Sequence, residues 1–421
     1  MTAVTVVSRR NLRKFTLWVT ETACLQRIFR HPRPPMPPSD PHGPHKDSTI
    51  WELISSKQSR FADLIKKDRK VMDMLDDKKA NITVFAPSNH AFAMLDKFLK
   101  HKDIPKDLIH RVLMYHVAPG THESQDLRYH NTLLTKLSED DLGKDEHQRL
   151  RIGLDHLGPN INFYSRFTMF DIYCNNGVIH AIDAILLPPP DILDLIEILP
   201  TQFSTTEAAL ERTGLLKKLP ELGGHGLTIF APSNRDWKKL GLKLNAFLFS
   251  KCGTKYLRAL MKYHISTNCT LYSDALVCPD KKKAIEEDGA HVLNELDDPD
   301  GLLHGYTHVY LSTMLDERHI SIDINRWERW LSFRANGLNA IAISDVIAKS
   351  GSIQVPDHVL IPPHSIDEHR HPPELFREDG EGDELGRGEY SVRQLKAILE
   401  PYVAQEQKEL NELRSQRGEE L

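Results

Sequence analysis

The sequence predicts an α+β fold, written twice in tandem. Three observations carry that expectation. "ITVFAPSN" at 82–89 returns as "LTIFAPSN" at 227–234, with six letters of eight agreeing. Within each copy apolar residues recur first at helical and then at strand intervals, the order of an α+β domain rather than of alternating β-α-β units. And 421 residues exceed the roughly 100–200 that one domain takes.

The elements follow in chain order. Residues 1–48 read as a disordered leader. Its apolar start is broken by Thr20, Glu21 and Thr22, which makes a poor secretory signal, and "HPRPPMPPSDPHGPHKDS" has the composition of an extended linker. From Thr49 onward Trp51 and Ile54, then Phe61, Leu64 and Ile65, then Val71, Met74 and Leu75 stand at helical spacing. "NITVFAPS" is a short strand ended by proline, and Ser88 or Asn89 caps the helix after it. "PKDLIHRVLMYHV" is again helical, with Pro105 in its first turn. Strands follow, and Asn176-Gly177 between apolar runs signals a hairpin.

The second copy repeats this order, from the helical "FSTTEAALERTGLLKKL" to a closing "HVLIPP" that matches "ILLPPP". Ser233 with Asp236 has the spacing of a capping box. Phe85 and Phe230 lie 145 residues apart, Tyr115-His116 and Tyr263-His264 148, Asn176-Gly177 and Asn336-Gly337 160. So steady an offset marks an internal duplication. On this alignment the second copy has fourteen more residues between Asn-Gly and the closing prolines, and "AKSGSIQVPDH" reads as a surface insertion. The expected divisions are a leader to 48, a first domain 49–190, a second domain 191–364 and an acidic tail 365–421 with one helix. The apolar stretch 191–200 predicts a packed, helical connection.

Composition excludes several function classes. A net charge of −5 gives no argument for nucleic-acid binding, and no apolar run is long enough to span a bilayer. The motifs of P-loop, zincin, hydrolase and dinucleotide-binding sites are absent, so no catalytic, cofactor or metal residue is nominated. Of five cysteines, Cys269 and Cys278 are close enough to bridge; two free thiols fit equally well.

The ordered marks "TVFAPSNHAF", "LMYHVAPG" and "NGVIHAIDAILLPP" resemble the fasciclin domain family. The resemblance covers the first copy nearly end to end, and the tandem pair spans about 49–364. It implies an antiparallel β-wedge flanked by helices in each copy. It also implies a non-enzymatic adhesion or interaction protein without cofactors, at the cell surface, in the extracellular matrix or in a vacuolar or endomembrane lumen. Protein or glycan partners would be bound through loops.

By the same resemblance the candidate partner-binding residues are Tyr115 and His116, and Asp171 with Ile172, whose carboxylate on an exposed loop could complete a partner's metal coordination. The second copy has Leu331 and Ser332 at the aligned positions and so lacks the Asp. The residues also allow a structural reading, in which His116 and His264 close a helix face and hydrogen-bond inside their domains. Asn81 and Asn268 open glycosylation sequons.

Two other functions stay open. One is a soluble intracellular or vacuolar scaffold working through the tail, where Val392, Leu395, Leu399 and Tyr402 share a helix face. That charged tail has three readings, docking on the second domain, contact with a partner, or floating, and floating or weak docking is the one expected. The other is a small-molecule binder or enzyme using the cleft between the copies.

Overall fold

A computed structural model describes residues 45, 47–57, 59–93, 105–219, 226–267, 269–278, 304–315, 318–327, 330–363 and 390–416. The expected leader to residue 44, residues 279–303 and tail residues 364–389 lie outside the described residues.

The first copy opens with three short helices, α1 (Ile50–Ser56), α2 (Arg60–Ile65) and α3 (Arg69–Asp76). Thr49 and Glu52 form a capping box at α1, while Ser59 and Asp68 cap the next two. Strand β1 (Ile82–Pro87), helix α4 (Lys106–Tyr115) and strand β2 (Val117–Pro119) follow. Then come β3 (Thr132–Ser138), β4 (His147–Asp155), β5 (Gly158–Ile161), β6 (Ser165–Cys174) and β7 (Gly177–Ile182). They form one seven-stranded sheet in the order β2-β1-β7-β6-β5-β4-β3, antiparallel except for the β1–β7 pair. Its two faces carry separate apolar clusters, one shared with the helices and one around Phe85, Tyr115, Phe167 and Phe170.

The connection is helical as expected: α5 (Ile192–Ile198) runs into α6 (Pro200–Arg212) and α7 (Leu215–Lys218). The second copy then gives β8 (Leu227–Phe230), α8 (Asn234–Lys239), α9 (Gly241–Leu248), α10 (Thr254–Tyr263), β9 (Ile265–Thr267), and the small pair β10 (Thr270–Leu271) and β11 (Leu276–Val277). Ser233 and Asp236 make the expected capping box at α8. Strands β12 (His304–Ser312), β13 (His319–Trp327), β14 (Trp330–Ala335), β15 (Asn339–Ala348) and β16 (Gly351–Pro356) complete a second seven-stranded sheet, β12-β13-β14-β15-β16-β8-β9. Its parallel pair is β8–β16, the counterpart of β1–β7.

This topology corrects the alignment of the copies. By strand order β5, β6 and β7 correspond to β14, β15 and β16, so Asn336-Gly337 sits at the counterpart of the β5–β6 turn, not of the β6–β7 hairpin. The counterpart of Gly177 is Gly351, 174 residues on. Both take positive φ (150° and 156°), and a Cβ at either would lie within 2 Å of a carbonyl oxygen, that of Ile82 or Leu227. Only glycine lets the parallel strand come this close. Gly337 faces open space. Likewise Asn162 and Phe163 (φ 49° and 68°) match Asn336 and Gly337 (φ 51° and 70°), again 174 apart. "AKSGSIQVPDH" is therefore no insertion: it holds β16, buried along its whole length. The extra chain of the second copy falls before β12.

The tail is also corrected. Helix α11 (Val392–Gln416) buries Leu395, Leu399 and Val403 in the second domain's core. Glu406 pairs with Arg258 and Lys262 of α10, each at 2.8 Å, and Tyr256 donates to Glu400. Three fully buried apolar side chains contribute about 1.5–3 kcal/mol each, more than solvated charge recovers. The apolar face is used inside the chain.

The two domains meet through buried polar contacts. Asp274, in the β10–β11 turn, accepts from Asn131 N, Thr132 N and Thr132 Oγ1 at 2.9, 2.7 and 2.5 Å. The Arg149 guanidinium lies over the Tyr272 ring, Gln148 Nε2 donates to Ala348 O, and Lys349 pairs with Asp141. A buried carboxylate with three donors fixes orientation as well as contact.

Candidate functional site

The nominated Tyr-His pair lies inside the first domain. Tyr115 and His116 are fully buried. His116 follows the last turn of α4, where Nδ1 donates to Val112 O at 2.7 Å and Nε2 accepts from Leu186 N at 3.0 Å. His264 repeats both bonds, to Leu260 O at 2.8 Å and from Leu360 N at 2.9 Å. One imidazole per domain thus ties the helix end to the closing "LLPPP" or "VLIPP" segment. Burial holds both rings down at a pKa of about 4, so they are neutral at pH 7. Tyr115 donates to Arg149 O and accepts from Asn162 Nδ2, both at 2.9 Å; Tyr263 lies 3.2 and 3.1 Å from His319 O and Asn336 Oδ1.

Asp171 stands in a bulge of β6 with φ 57° and is 7% exposed; Ile172 is buried beside it. The expectation of an exposed carboxylate on a loop is corrected. Asp171 Oδ1 accepts from Ser124 N at 2.8 Å and Oδ2 from Ser124 Oγ at 2.5 Å. The second copy has the same clasp, so the expectation that it lacks the Asp is corrected too. Asp345, with φ 61° in the β15 bulge, accepts from Ser273 N and Ser273 Oγ at 2.7 and 2.5 Å. Behind each clasp is a further matching pair. His180 accepts from Asp171 N and hydrogen-bonds His122 O; Gln354 accepts from Asp345 N and donates to Leu271 O. An amide and an imidazole do the same two tasks. All four nominated side chains are thus buried in the first domain.

Asn81 is exposed just before β1, and its Oδ1 accepts from Thr121. Asn268 lies outside the described residues, but Cys269 beside it is bonded to Cys278, settling the open pairing as a disulfide.

Two features went unread in the sequence. The first is a row of side chains on the outer face of β12–β14. Registers Tyr306↔Asn325, His308↔Asp323 and Trp327↔Trp330 put these residues on one face. Trp330 is 79% exposed, Trp327 65% and Tyr306 58%. Asp323 accepts from Tyr306 at 2.6 Å and contacts His308 Nδ1 at 2.7 Å, and these two bonds with the His308 charge hold its carboxyl low against the desolvation that raises it. Strict alternation with Thr307, Val309 and Leu311 is a period-two signal that could have marked this face. In the first domain the equivalent face, carrying Arg149 and Arg151 of β4, is where the second domain sits.

The second is a groove of about 300 Å³ between the domains, walled by Arg151, Asn160 and Phe163 on one side and Phe333, Ile341 and Ser344 on the other. Arg151 stacks 4.0 Å over Phe163 while its Nε donates to Ser344 O. Among the described residues no group of three or more His, Cys, Asp or Glu could hold a metal ion.

With this geometry in view, a fasciclin domain model matches residues 56–188 and again 201–362. The chain is 28% identical over 371 residues to the aurofusarin biosynthesis cluster protein S of Gibberella zeae, covering 84% of this chain and 86% of that protein. It is 30% identical over 194 residues to the transforming growth factor-beta-induced protein ig-h3 of Sus scrofa, covering 44% of this chain but only 26% of that one. A solved FAS1 domain pair from the insect cell adhesion molecule Fasciclin I has 17% identity and a TM-score of 0.34, covering 72% of this chain and 95% of its own.

Proposed function

The chain belongs to the fasciclin domain family, and on that premise we propose that it is a non-enzymatic adhesion or interaction protein of the extracellular or endomembrane space. Its partner contact, in this reading, is the outer face of β12–β14, and the partner is a glycan chain. The observation that carries it is the exposed aromatic row with polar groups among its rings. Ring faces pack on the apolar C–H faces of sugars, and the Tyr306–His308–Asp323 network with Asn325 offers donors and acceptors for hydroxyls. Large exposed aromatic groups are costly to keep at a surface without a use. The docked state of the first domain's equivalent face supports reading this sheet surface as one built for contact. The Cys269–Cys278 disulfide supports an oxidising compartment. Among the described residues no helix is long and apolar enough to cross a membrane.

The test is retention on an array of immobilised glycans, with Trp327→Ala/Trp330→Ala as the comparison. Binding to a defined glycan that falls at least tenfold in the double variant supports the reading. Absence of glycan binding, with Trp-dependent capture of a protein partner instead, overturns the glycan assignment. Glycan binding unchanged by the double variant overturns the assignment of this face.

A further inference from the structure

We propose that the Cys269–Cys278 disulfide is a redox lock on the contact between the two domains, opened by a dithiol reductant. The bond joins residues nine positions apart and closes the ends of the β10–β11 hairpin. The turn inside that ring is what the second domain sets against the first. Tyr272 lies under the Arg149 guanidinium, Ser273 Oγ accepts from Asn131 Nδ2 at 2.7 Å, and Asp274 takes its three bonds from Asn131 and Thr132. All three turn residues are buried.

The hairpin's two strands are held differently. On the incoming strand Thr228 Oγ1 donates to Cys269 O and accepts from Leu271 N. Ser352 Oγ and Gln354 Nε2 both donate to Leu271 O, and Asp345 clasps Ser273. On the outgoing side, among the described residues, the backbone of 275–277 bonds only to the hairpin's own first half. A two-stranded ribbon is marginal by itself. Beyond apolar packing, the disulfide is therefore what fastens the outgoing half, which begins at Asp274, to the tethered strand.

The first copy lacks the lock. Thr83 Oγ1 donates to Gly120 O and accepts from His122 N, as Thr228 does with Cys269 and Leu271, so Gly120 is the counterpart of Cys269. Gln125, after the clasped Ser124, is exposed where Asp274 is buried. The copy whose turn enters the domain contact is the copy with the disulfide.

Cys269 is half-buried and Cys278 buried, so a thiolate of the reductant attacks Cys269 Sγ. The S–S bond breaks, and Cys278 leaves as a thiolate and takes up a proton. The reductant's second thiol then displaces Cys269 and closes the reductant's own disulfide, so two electrons and two protons pass to the chain. The bonds from Gln148 to Ala348 O and from Arg151 to Ser344 O do not involve the hairpin. Reduction therefore loosens the contact at Asp274 without separating the domains.

The experiment is amide hydrogen exchange on the full chain, read by nuclear magnetic resonance with and without dithiothreitol. Alkylation of Cys269 and Cys278 by iodoacetamide reports complete reduction. The Asn131 and Thr132 amides, both bonded to Asp274, should then exchange at least tenfold faster. The Ser124 amide, bonded to Asp171 inside the first domain, should keep its rate. Cys269→Ala/Cys278→Ala should exchange fast at Asn131 and Thr132 without reductant and show no response to it. Unchanged exchange in the reduced chain overturns the proposal, as does resistance of the bond to dithiothreitol. A rise at Ser124 as large as at Thr132 also overturns it, since the whole first domain has then loosened. None of these outcomes bears on the glycan face, which lies on β12–β14.

Discussion

The two domains share a frame and differ in what they do with its surface. In both, a buried His joins the Tyr-His helix to the closing proline-rich segment, a Ser clasps an Asp at positive φ, and a glycine lets the parallel strand pass under a carbonyl. The His and Asp ties recur although the sequences around them differ, because each satisfies buried polar atoms that no apolar residue could; the glycines recur because a Cβ would meet a carbonyl oxygen. The outer faces have no such constraint. One is basic and covered by its neighbour; the other is aromatic and open.

The comparison breaks most visibly at the glycines. Gly177→Ala and Gly351→Ala each drive a Cβ into a backbone carbonyl at positive φ, and each should cost about 4 kcal/mol or more, or prevent folding. Gly337→Ala meets nothing within 4 Å and should cost about 1 kcal/mol for its φ of 70° alone. Urea unfolding of the three variants decides the register. Equal losses at Gly177 and Gly337 would restore the Asn-Gly alignment.

The His ties come next. His116→Ala or His264→Ala strands a buried N–H and a buried C=O, with a loss of roughly 2–4 kcal/mol expected in the affected domain. The pH dependence follows from the same burial. Each ring titrates near 4 in the fold against about 6.5 unfolded, so the unfolded chain takes up protons first. Stability is full above about pH 6.5 and falls as pH drops towards 4, by up to about 1.4 kcal/mol per pH unit per ring. Denaturation midpoints at pH 7, 6 and 5 check this; a flat profile would falsify the neutral, buried assignment.

The Asp–Ser clasps should matter less. Asp171→Ala and Asp345→Ala remove a carboxylate from two donors at a positive φ, costing about 2–3 kcal/mol in either domain. If Asp171 instead served an outside partner, its removal would leave thermal stability unchanged while Asp345→Ala did not.

The smallest effect expected is the most pointed. His180→Gln copies the second domain, where Gln354 accepts from Asp345 N and donates to Leu271 O. A change within about 1 kcal/mol at pH 7, by thermal denaturation, would establish the two positions as equivalent. A loss above 3 kcal/mol would mean that the first domain needs the ring, stacked as it is on Phe85.

The sequence alone determined that the chain is a duplicated α+β domain, where its helices cap, and which glycine-bearing hairpin closes the first copy. Those features are written locally: helical spacing, a Ser-Asp box at Ser233, a proline after a strand. The register between the copies was not local. Asn-Gly suits any tight turn, so the same dipeptide marked two different ones, and only strand pairing shows that Gly351 rather than Gly337 answers Gly177. Burial was decided at the same level. Asp171 beside Asn-Gly reads as a loop carboxylate until Ser124, 47 positions earlier, is folded against it. The tail helix reads as solvated until α10 supplies Arg258 and Lys262 to Glu406. A side chain's partner can lie anywhere in the chain, and the free energy that chooses between core and surface depends on that partner.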